Sequence, residues 1–249
     1  MAEWIYGRRA VVETLKSGLK IKKILLSETS QAFDREDIFK EARTRGVRVE
    51  NVSRRSLDDL GLGHHQGVAA DVEFPGPLAF KVFLNNLRIQ PGMFVCLLDE
   101  VQDPQNLGAI LRNAVCFGCS GVILPKWRSA GLTPAVMKAS SGALAHCPLA
   151  EISNLGVAIE RLKEKGFTVY GAVAGENTAI LEGLDIRYPA AIVLGSEHAG
   201  IKPTFKKACD HLVRITQKSR VQSLNIASAS AIFFHTFSNF DIIPECPIS

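Results

Sequence analysis

From residue 93 onward the chain carries five short, nearly uninterrupted apolar runs, at 94–99, 121–124, 168–173, 190–194 and 211–215. A strand with one face in water alternates apolar and polar residues. A strand without alternation is buried on both faces. Helical periodicity falls between these runs, at 107–117, 134–140, 153–165 and 204–208, with Thr133-Pro134 as N-cap and first helical residue. Buried strands alternating with helices predict an α/β fold: a mostly parallel sheet covered on both faces.

The first 73 residues read as a smaller α/β unit. Helix patterns at 8–17 and 34–45 and a short one after Ser53 lie among strands at 23–27, 47–52 and 67–73. Phe74-Pro-Gly-Pro77 stops helix and sheet alike, and Pro91-Gly92 punctuates again. The expected organisation is a module at 1–73, a linker at 74–90 and a larger domain at 91–249.

With 249 residues, 47% of them hydrophobic and 22% charged, the chain can bury a core and is not a disordered polymer. No apolar run reaches the ~18 residues of a membrane span, and the start is not a signal peptide. Six cysteines are too few for a disulfide scaffold. A cytoplasmic protein with reduced thiols and no membrane partner is expected. The net charge of +4 is unevenly placed. Residues 1–55 hold 13 Lys and Arg against 8 Asp and Glu, whereas residues 90–249 hold 14 against 13. A basic stretch at 1–55 beside a near-neutral domain suggests a polyanionic partner for the N-terminal part.

Ligands of parallel sheets bind outside the carboxyl ends of the strands. Three segments there stand out: 98–118, 192–201 and 215–225. In the first, Asn106 is a natural N-cap, and Leu107, Ile110, Leu111, Ala114 and Val115 form an apolar stripe. Gly108 clears space beside Arg112 one turn later. In the second, an apolar strand runs into Leu194-Gly195-Ser196-Glu197. In the third, Ser223 and Asn225 straddle a helix start. Each also has a plain structural reading as cap, turn or packing residue. Glycine-rich dinucleotide loops, Walker loops and nucleophile elbows are missing. Cys116-Phe-Gly-Cys119 lacks a second ligand pair, so core packing explains it better than a metal. His64-His65 lacks ligand spacing and reads as a loop pair that could touch RNA.

Together, the segment Leu98-Asp-x-x-x-Asp-Pro-x-Asn-x-Gly-x-Ile-x-Arg-x-Ala-x-x-Phe-Gly118, Leu194-Gly-Ser-Glu197 with Gly200, and Val221-x-Ser-Leu-Asn225 resemble, in order and spacing, the three motifs of SpoU/TrmH-type RNA 2′-O-ribose methyltransferases. Ile5-Tyr-Gly-x-x-Ala-Val-x-Glu-x-Leu15 and His65-Gln-Gly-Val68 resemble the bacterial branch that methylates a guanosine ribose of 23S ribosomal RNA. The resemblance spans nearly the whole chain. It implies a trefoil-knotted SPOUT domain, an exception to the rule against knots, preceded by an L30e-like RNA-binding domain. It also implies a homodimer through the C-terminal domain, S-adenosyl-L-methionine as donor, and no metal.

Carried over residue by residue, it places Asn106, Arg112, Glu197, Ser223 and Asn225 in substrate orientation and catalysis, and Ala172, Leu194, Gly195, Ile215 and Leu224 around the donor. The chain departs from the family pattern at Thr216, Gln217 and Ser219, where Pro, Met and Gly are usual, and at His198. The last helix pattern, with Ile226, Ala229, Ile232, Phe233, Phe234, Phe237 and Phe240, is apolar over more than one core contact requires. That width is expected to serve the dimer. Two further readings stay open: a transfer-RNA or resistance-type ribosomal-RNA methyltransferase, and a non-catalytic RNA-binding ribosome-assembly protein.

Overall fold

Strand β1 (Glu3–Tyr6), helix α1 (Arg8–Lys16), β2 (Lys20–Ser27), α2 (Ala32–Thr44), β3 (Val49–Val52), α3 (Arg54–Asp58) and β4 (Val68–Glu73) follow one another in the computed structural model. The structure describes residues 3–16, 19–29, 32–73, 76–140, 142–175, 178–196, 199–218 and 224–238. Helix α2 begins two residues before Asp34, which therefore falls in its first turn. Ser53 caps α3 as expected, accepting from Ser56 N–H at 3.2 Å. The sheet order is β1-β4-β2-β3, with β4 antiparallel to both neighbours and β2 parallel to β3. Leu25 and Ala69 pack with Leu57 of α3. Alternation turns Ile24 and Leu26 to the other face, where they too are buried.

Two details explain the N-terminal signatures. Gly7 (φ +95°) and Gly67 (φ +79°) sit where β1 leaves and β4 enters the sheet, joined by Gly7 N–H to Val68 O at 3.2 Å. Only glycine takes this left-handed backbone cheaply. Gln66 accepts the first α1 N–H, from Arg8, at 3.0 Å. His65 is buried, and its Nδ1 accepts from Gly67 N–H at 3.0 Å. Nε2 therefore carries the proton and donates to Asp58 Oδ1 at 2.9 Å. His65 is thus a brace for this turn rather than a loop residue open to RNA, while His64 is exposed.

The chain continues through β5 (Leu78–Ala79), α4 (Phe80–Asn86), β6 (Phe94–Leu98), α5 (Pro104–Cys116), β7 (Val122–Pro125), α6 (Pro134–Ala139), β8 (Leu149–Ile152), α7 (Leu155–Glu164), β9 (Thr168–Ala172), β10 (Ala179–Ile180), β11 (Ala190–Leu194), α8 (Pro203–Ala208), β12 (His211–Arg214) and α9 (Ile226–Phe237). Eight strands form one sheet in the order β10-β12-β9-β11-β6-β7-β8-β5, and every pairing among the described residues is parallel. Two compact units result: residues 1–76 with 131–146, and residues 77–130 with 147–249.

All five residues of β6 and of β11 are buried. On one face Phe94 meets the rings of Phe234 and Phe237 at 5.8 and 6.3 Å. On the other, Val95 and Leu97 join Phe80, Phe83, Leu155 and Ile159. The uninterrupted apolar pattern follows from this double coverage. Within 74–90, β5 pairs with β8, and Phe80 and Phe83 of α4 belong to this core. Strand β8 escapes the sequence pattern because it is four residues long, follows Pro148 and contains Glu151.

The aromatic width of α9 is taken up inside the unit. Phe233, Phe234 and Phe237 are buried, and of its large apolar residues Ile232 is left exposed. Phe240 lies outside the described residues.

Arg45 ties the N-terminal unit together by donating to Thr14 O (3.2 Å), Leu15 O (3.0 Å) and Leu19 O (2.8 Å), around the carboxyl end of α1. A cation there meets carbonyls left without helical partners. Arg45→Met is expected to cost about 2 kcal/mol of stability, the range for charge-assisted hydrogen bonds. Urea unfolding would check this, and an unchanged midpoint would refute it.

Candidate active site

Strand β6 leads through α5 to β7 on one side, whereas β11 leads through α8 to β12 on the other. The winding thus reverses between two adjacent strands, β6 and β11. At such a point the two outgoing loops diverge and leave a crevice beyond the strand ends. A cavity of about 350 Å³ lies there, lined by Glu100, Val101, Gln102, Asp103, Asn106, Ser196 and Ile226. The first five follow β6, Ser196 follows β11, and Ile226 opens α9.

The crevice is held by backbone. Asp99 N–H donates to Leu194 O at 2.8 Å, prolonging the β6–β11 ladder by one residue. The Asp99 carboxylate is buried, and its Oδ2 accepts from Lys202 N–H at 3.0 Å. Ser196 and Gly200 exchange backbone hydrogen bonds of 3.2 and 2.9 Å, folding the loop after β11 back on itself. A Cβ on Gly195 would lie 2.0 Å from the Gly200 carbonyl carbon, so only glycine allows this closure.

Asp103, not Asn106, caps α5: its carboxylate accepts from Gln105 N–H at 3.1 Å, and Pro104 takes the first helical position. The helix starts three residues earlier than its apolar stripe suggests, because Asp-Pro supplies both cap and first turn. Asn106 is thereby released for another task. Its Oδ1 accepts from Asn225 Nδ2 at 3.0 Å. Asn225 itself caps α9, accepting at Oδ1 from Ala227 and Ser228 N–H at 2.8 and 3.3 Å. The first and third sequence segments therefore meet through one amide pair. Asn113, two turns after Asn106, extends the contact to Ala227 O and Ser230 Oγ at 2.9 and 3.0 Å.

Arg112 lies elsewhere on α5. Six residues past Asn106, it is about 9 Å further along the axis and turned to a different face. It is exposed, does not line the cavity, and makes no hydrogen bond or ion pair among the described residues. Ala172 and Leu194 end β9 and β11, and Ile215 follows β12. These strands are neighbours in the order β12-β9-β11, so the three positions share one sheet edge. Leu224 is exposed just before α9. Glu197, His198, Ser219 and Ser223 lie outside the described residues. Where the family pattern has proline, Thr216 uses its N–H and hydroxyl to grip Glu182 at 3.2 and 3.1 Å. Proline could offer neither donor.

Sequence reasoning passed over an ionic group at the cavity rim. Glu100 has φ +59°, an uncommon backbone for a non-glycine residue. Its carboxylate meets Lys202 Nζ at 2.7 Å and Arg128 at 3.4 Å. The Lys202 hydrogen bond, helped by Arg128, holds the Glu100 carboxyl below the usual range. Lys202 also lies 3.5 Å from Asp99 Oδ1. An acidic pair directly after a buried strand was the available signal. Core packing holds for Cys119, which is buried with its thiol pushed up to about 12 by that burial, but not for Cys116, which the end of α5 leaves exposed. Among the described residues no group of three or more His, Cys, Asp or Glu could hold a metal ion, and no helix is long and apolar enough to cross a membrane.

A sheet parallel throughout its described pairings, with a crevice at its winding reversal, defines an α/β ligand-binding domain. Residues 93–235 match the SpoU rRNA methylase family, and residues 4–78 match the RNA 2′-O ribose methyltransferase substrate-binding family. A Bacillus subtilis protein named as a TrmH-family tRNA/rRNA methyltransferase is 35% identical over 236 residues, 94% of each chain. A Staphylococcus saprophyticus protein of the same naming is 38% identical over 232 residues, 93% of each. The crystal structure of an AdoMet-bound rRNA methyltransferase from Sinorhizobium meliloti is similar with a TM-score of 0.77 at 25% identity, over 95% of this chain and 86% of that one. This chain belongs to the SpoU rRNA methylase family and is an RNA 2′-O-ribose methyltransferase of that type.

A carboxylate whose pKa is lowered by folding stabilises above its unfolded value, about 4.3 for glutamate, and ceases to do so as pH falls through the folded value. The parent protein is therefore expected to unfold at a higher urea concentration than Lys202→Met at pH 7, with the gap narrowing below about pH 4. A gap independent of pH would remove the Glu100–Lys202 pair from this account.

Proposed function

We propose that this protein transfers the methyl group of S-adenosylmethionine to the 2′-oxygen of a ribose, that of a guanosine, in 23S ribosomal RNA. One observation carries the reading: a substrate-binding segment at 4–78 and a methylase segment at 93–235 occupy a single chain, and the Lys and Arg of the first are gathered within residues 8–55. In support, the solved structure described above is of an rRNA methyltransferase with AdoMet bound. A knotted C-terminal domain at 91–249, an L30e-like module at 1–73 and a C-terminal homodimer belong to the same proposal.

The donor fits the residues present. Ala172, Leu194 and Ile215 stand together at the carboxyl ends of neighbouring strands, where a parallel sheet takes its ligands, and the cavity of about 350 Å³ that Asn106 and Ser196 line is distinct from these positions. Ala172, Leu194, Gly195, Ile215 and Leu224 would hold the donor from the strand ends. When bound, it supplies an electrophilic methyl group to an RNA oxygen that must give up its proton. The chain's part is to orient that hydroxyl and stabilise the charge that develops on it. Asn106, fixed by Asn225, presents an amide at the cavity wall. Arg112 has a guanidinium that is not engaged by other described residues. A guanidinium keeps its proton and is a poor proton acceptor, so its role is to bind a phosphate and to stabilise the developing alkoxide. Glu197 and Ser223 complete the set.

The relatives' names cover transfer RNA as well, and this sets the competing substrate. Mass-spectrometric mapping of ribose methylation in ribosomal and transfer RNA, from cells with and without the protein, separates the two. The expected result is loss of one methyl group from a guanosine of 23S RNA. Loss from a transfer RNA instead would move the substrate and leave the chemistry. Purified Arg112→Ala is expected to bind S-adenosylmethionine normally by calorimetry yet transfer methyl at least a hundredfold more slowly, the scale of losing an oxyanion donor. Undiminished transfer by this variant would remove Arg112 from the site.

A further inference from the structure

The loop after β7 carries the most exposed large hydrophobic side chain among the described residues, Trp127, with 67% of its surface open. A single exposed apolar residue is ordinary by itself. Three further observations make this one unusual. First, it is flanked by cations. Lys126 Nζ lies 5.4 Å from the indole centroid, and Arg128 follows with its side chain largely exposed. Second, the loop is built rather than loose. Ser129 Oγ and Ala130 N–H both donate to Val101 O, at 3.3 and 2.8 Å, and Lys126 N–H donates to Ile152 O at 2.9 Å. Arg128 has φ +60°, the left-handed backbone that turns the chain here. Third, the loop borders the candidate active site. Strands β7 and β6 are parallel neighbours, so their outgoing loops share an edge. Val101 and Glu100, which hold the loop through Ser129, Ala130 and Arg128, both line the cavity.

We infer that Trp127 is a stacking platform for an unpaired base of the RNA substrate next to the methylated nucleotide, with Lys126 and Arg128 meeting the adjoining phosphates. A ribose 2′-oxygen is reached most easily where the strand is not locked in a duplex. An unpaired strand offers exposed base faces and a continuous line of negative charge. An aromatic plane between two cations matches both features, and it is tolerant of sequence because every base has a face to stack. The Lys126 ammonium near the ring orients the indole in advance. Trp127 is then a substrate-positioning residue of the transferase, separate from Arg112 and from the donor pocket. This rests on the proposed function.

The test uses the full chain and three ligands: a single-stranded oligouridylate, a fully paired RNA duplex, and S-adenosylmethionine alone. Trp127→Ala is expected to bind the oligouridylate about five- to a hundredfold more weakly, the range for one lost stacked base. Trp127→Phe should stay within about threefold of the parent, since a phenyl ring also stacks. Duplex binding and donor affinity should not move, and unchanged donor affinity also certifies the fold. The chain has two tryptophans, so a Trp4→Phe protein reports on Trp127 alone, and its fluorescence should be quenched by the oligouridylate. Equal oligouridylate affinity for Trp127→Ala and parent would overturn the inference. So would a change in oligomeric state by light scattering with RNA affinity intact, which would assign the ring to a contact between copies. A parent that transfers methyl to RNA without quenching would overturn the platform alone, whereas a parent that methylates no RNA would overturn the proposed function.

Discussion

The hydrogen bond from Asp99 N–H to Leu194 O prolongs the pairing of β6 and β11 to the point where their loops part. Because the winding reverses between these two strands, neither loop can cover the gap, and a crevice forms without any side chain being removed from the core. Everything at the site hangs from this edge. The Asp99 carboxylate reaches across to Lys202, and Gly195 lets the Ser196–Gly200 turn close against the strand. Glu100 leaves the strand in a left-handed conformation that sets it on the cavity rim.

The local strain and the buried charge of the second unit gather at that edge. A non-glycine residue at positive φ, and a buried carboxylate with one oxygen lacking a hydrogen bond, each cost free energy of order 1–3 kcal/mol. The double-sided core of β6 and β11 supports that cost, since each strand is buried along its whole length. Helix α9 contributes from the other direction. Its phenylalanines dock on Phe94 and Tyr170, and this fixes Asn225 at the helix start where it can hold Asn106.

Much of this was legible in the chain. The parallel sheet follows from apolar runs without alternation, and the helices between them appear within a few residues of their predicted places. Asn106 and Asn225 were visible as polar residues at helix starts after strands. Their meeting was not, because 119 residues separate them and no local pattern encodes a register between two helices. Asn106 was mistaken for a cap because the apolar stripe begins one residue after it, while Asp103-Pro104 supplies the cap one turn earlier. Strand β8 was invisible for lack of length. His65 read as a loop histidine because burial depends on the turn that Gly7 and Gly67 make together.

By itself the sequence determined the fold class, the excess of positive charge over residues 1–55, and which loops follow the buried strands. These are properties of composition and short-range periodicity, which act along the chain. Tertiary structure alone decided that the winding reverses between β6 and β11, that Glu100, Lys202 and Arg128 join at the rim, and that Arg112 is not among the residues lining the cavity that Asn106 lines. Those outcomes depend on strand order and helix rotation. Both are set by how the core as a whole packs, and no window of neighbouring residues contains that information.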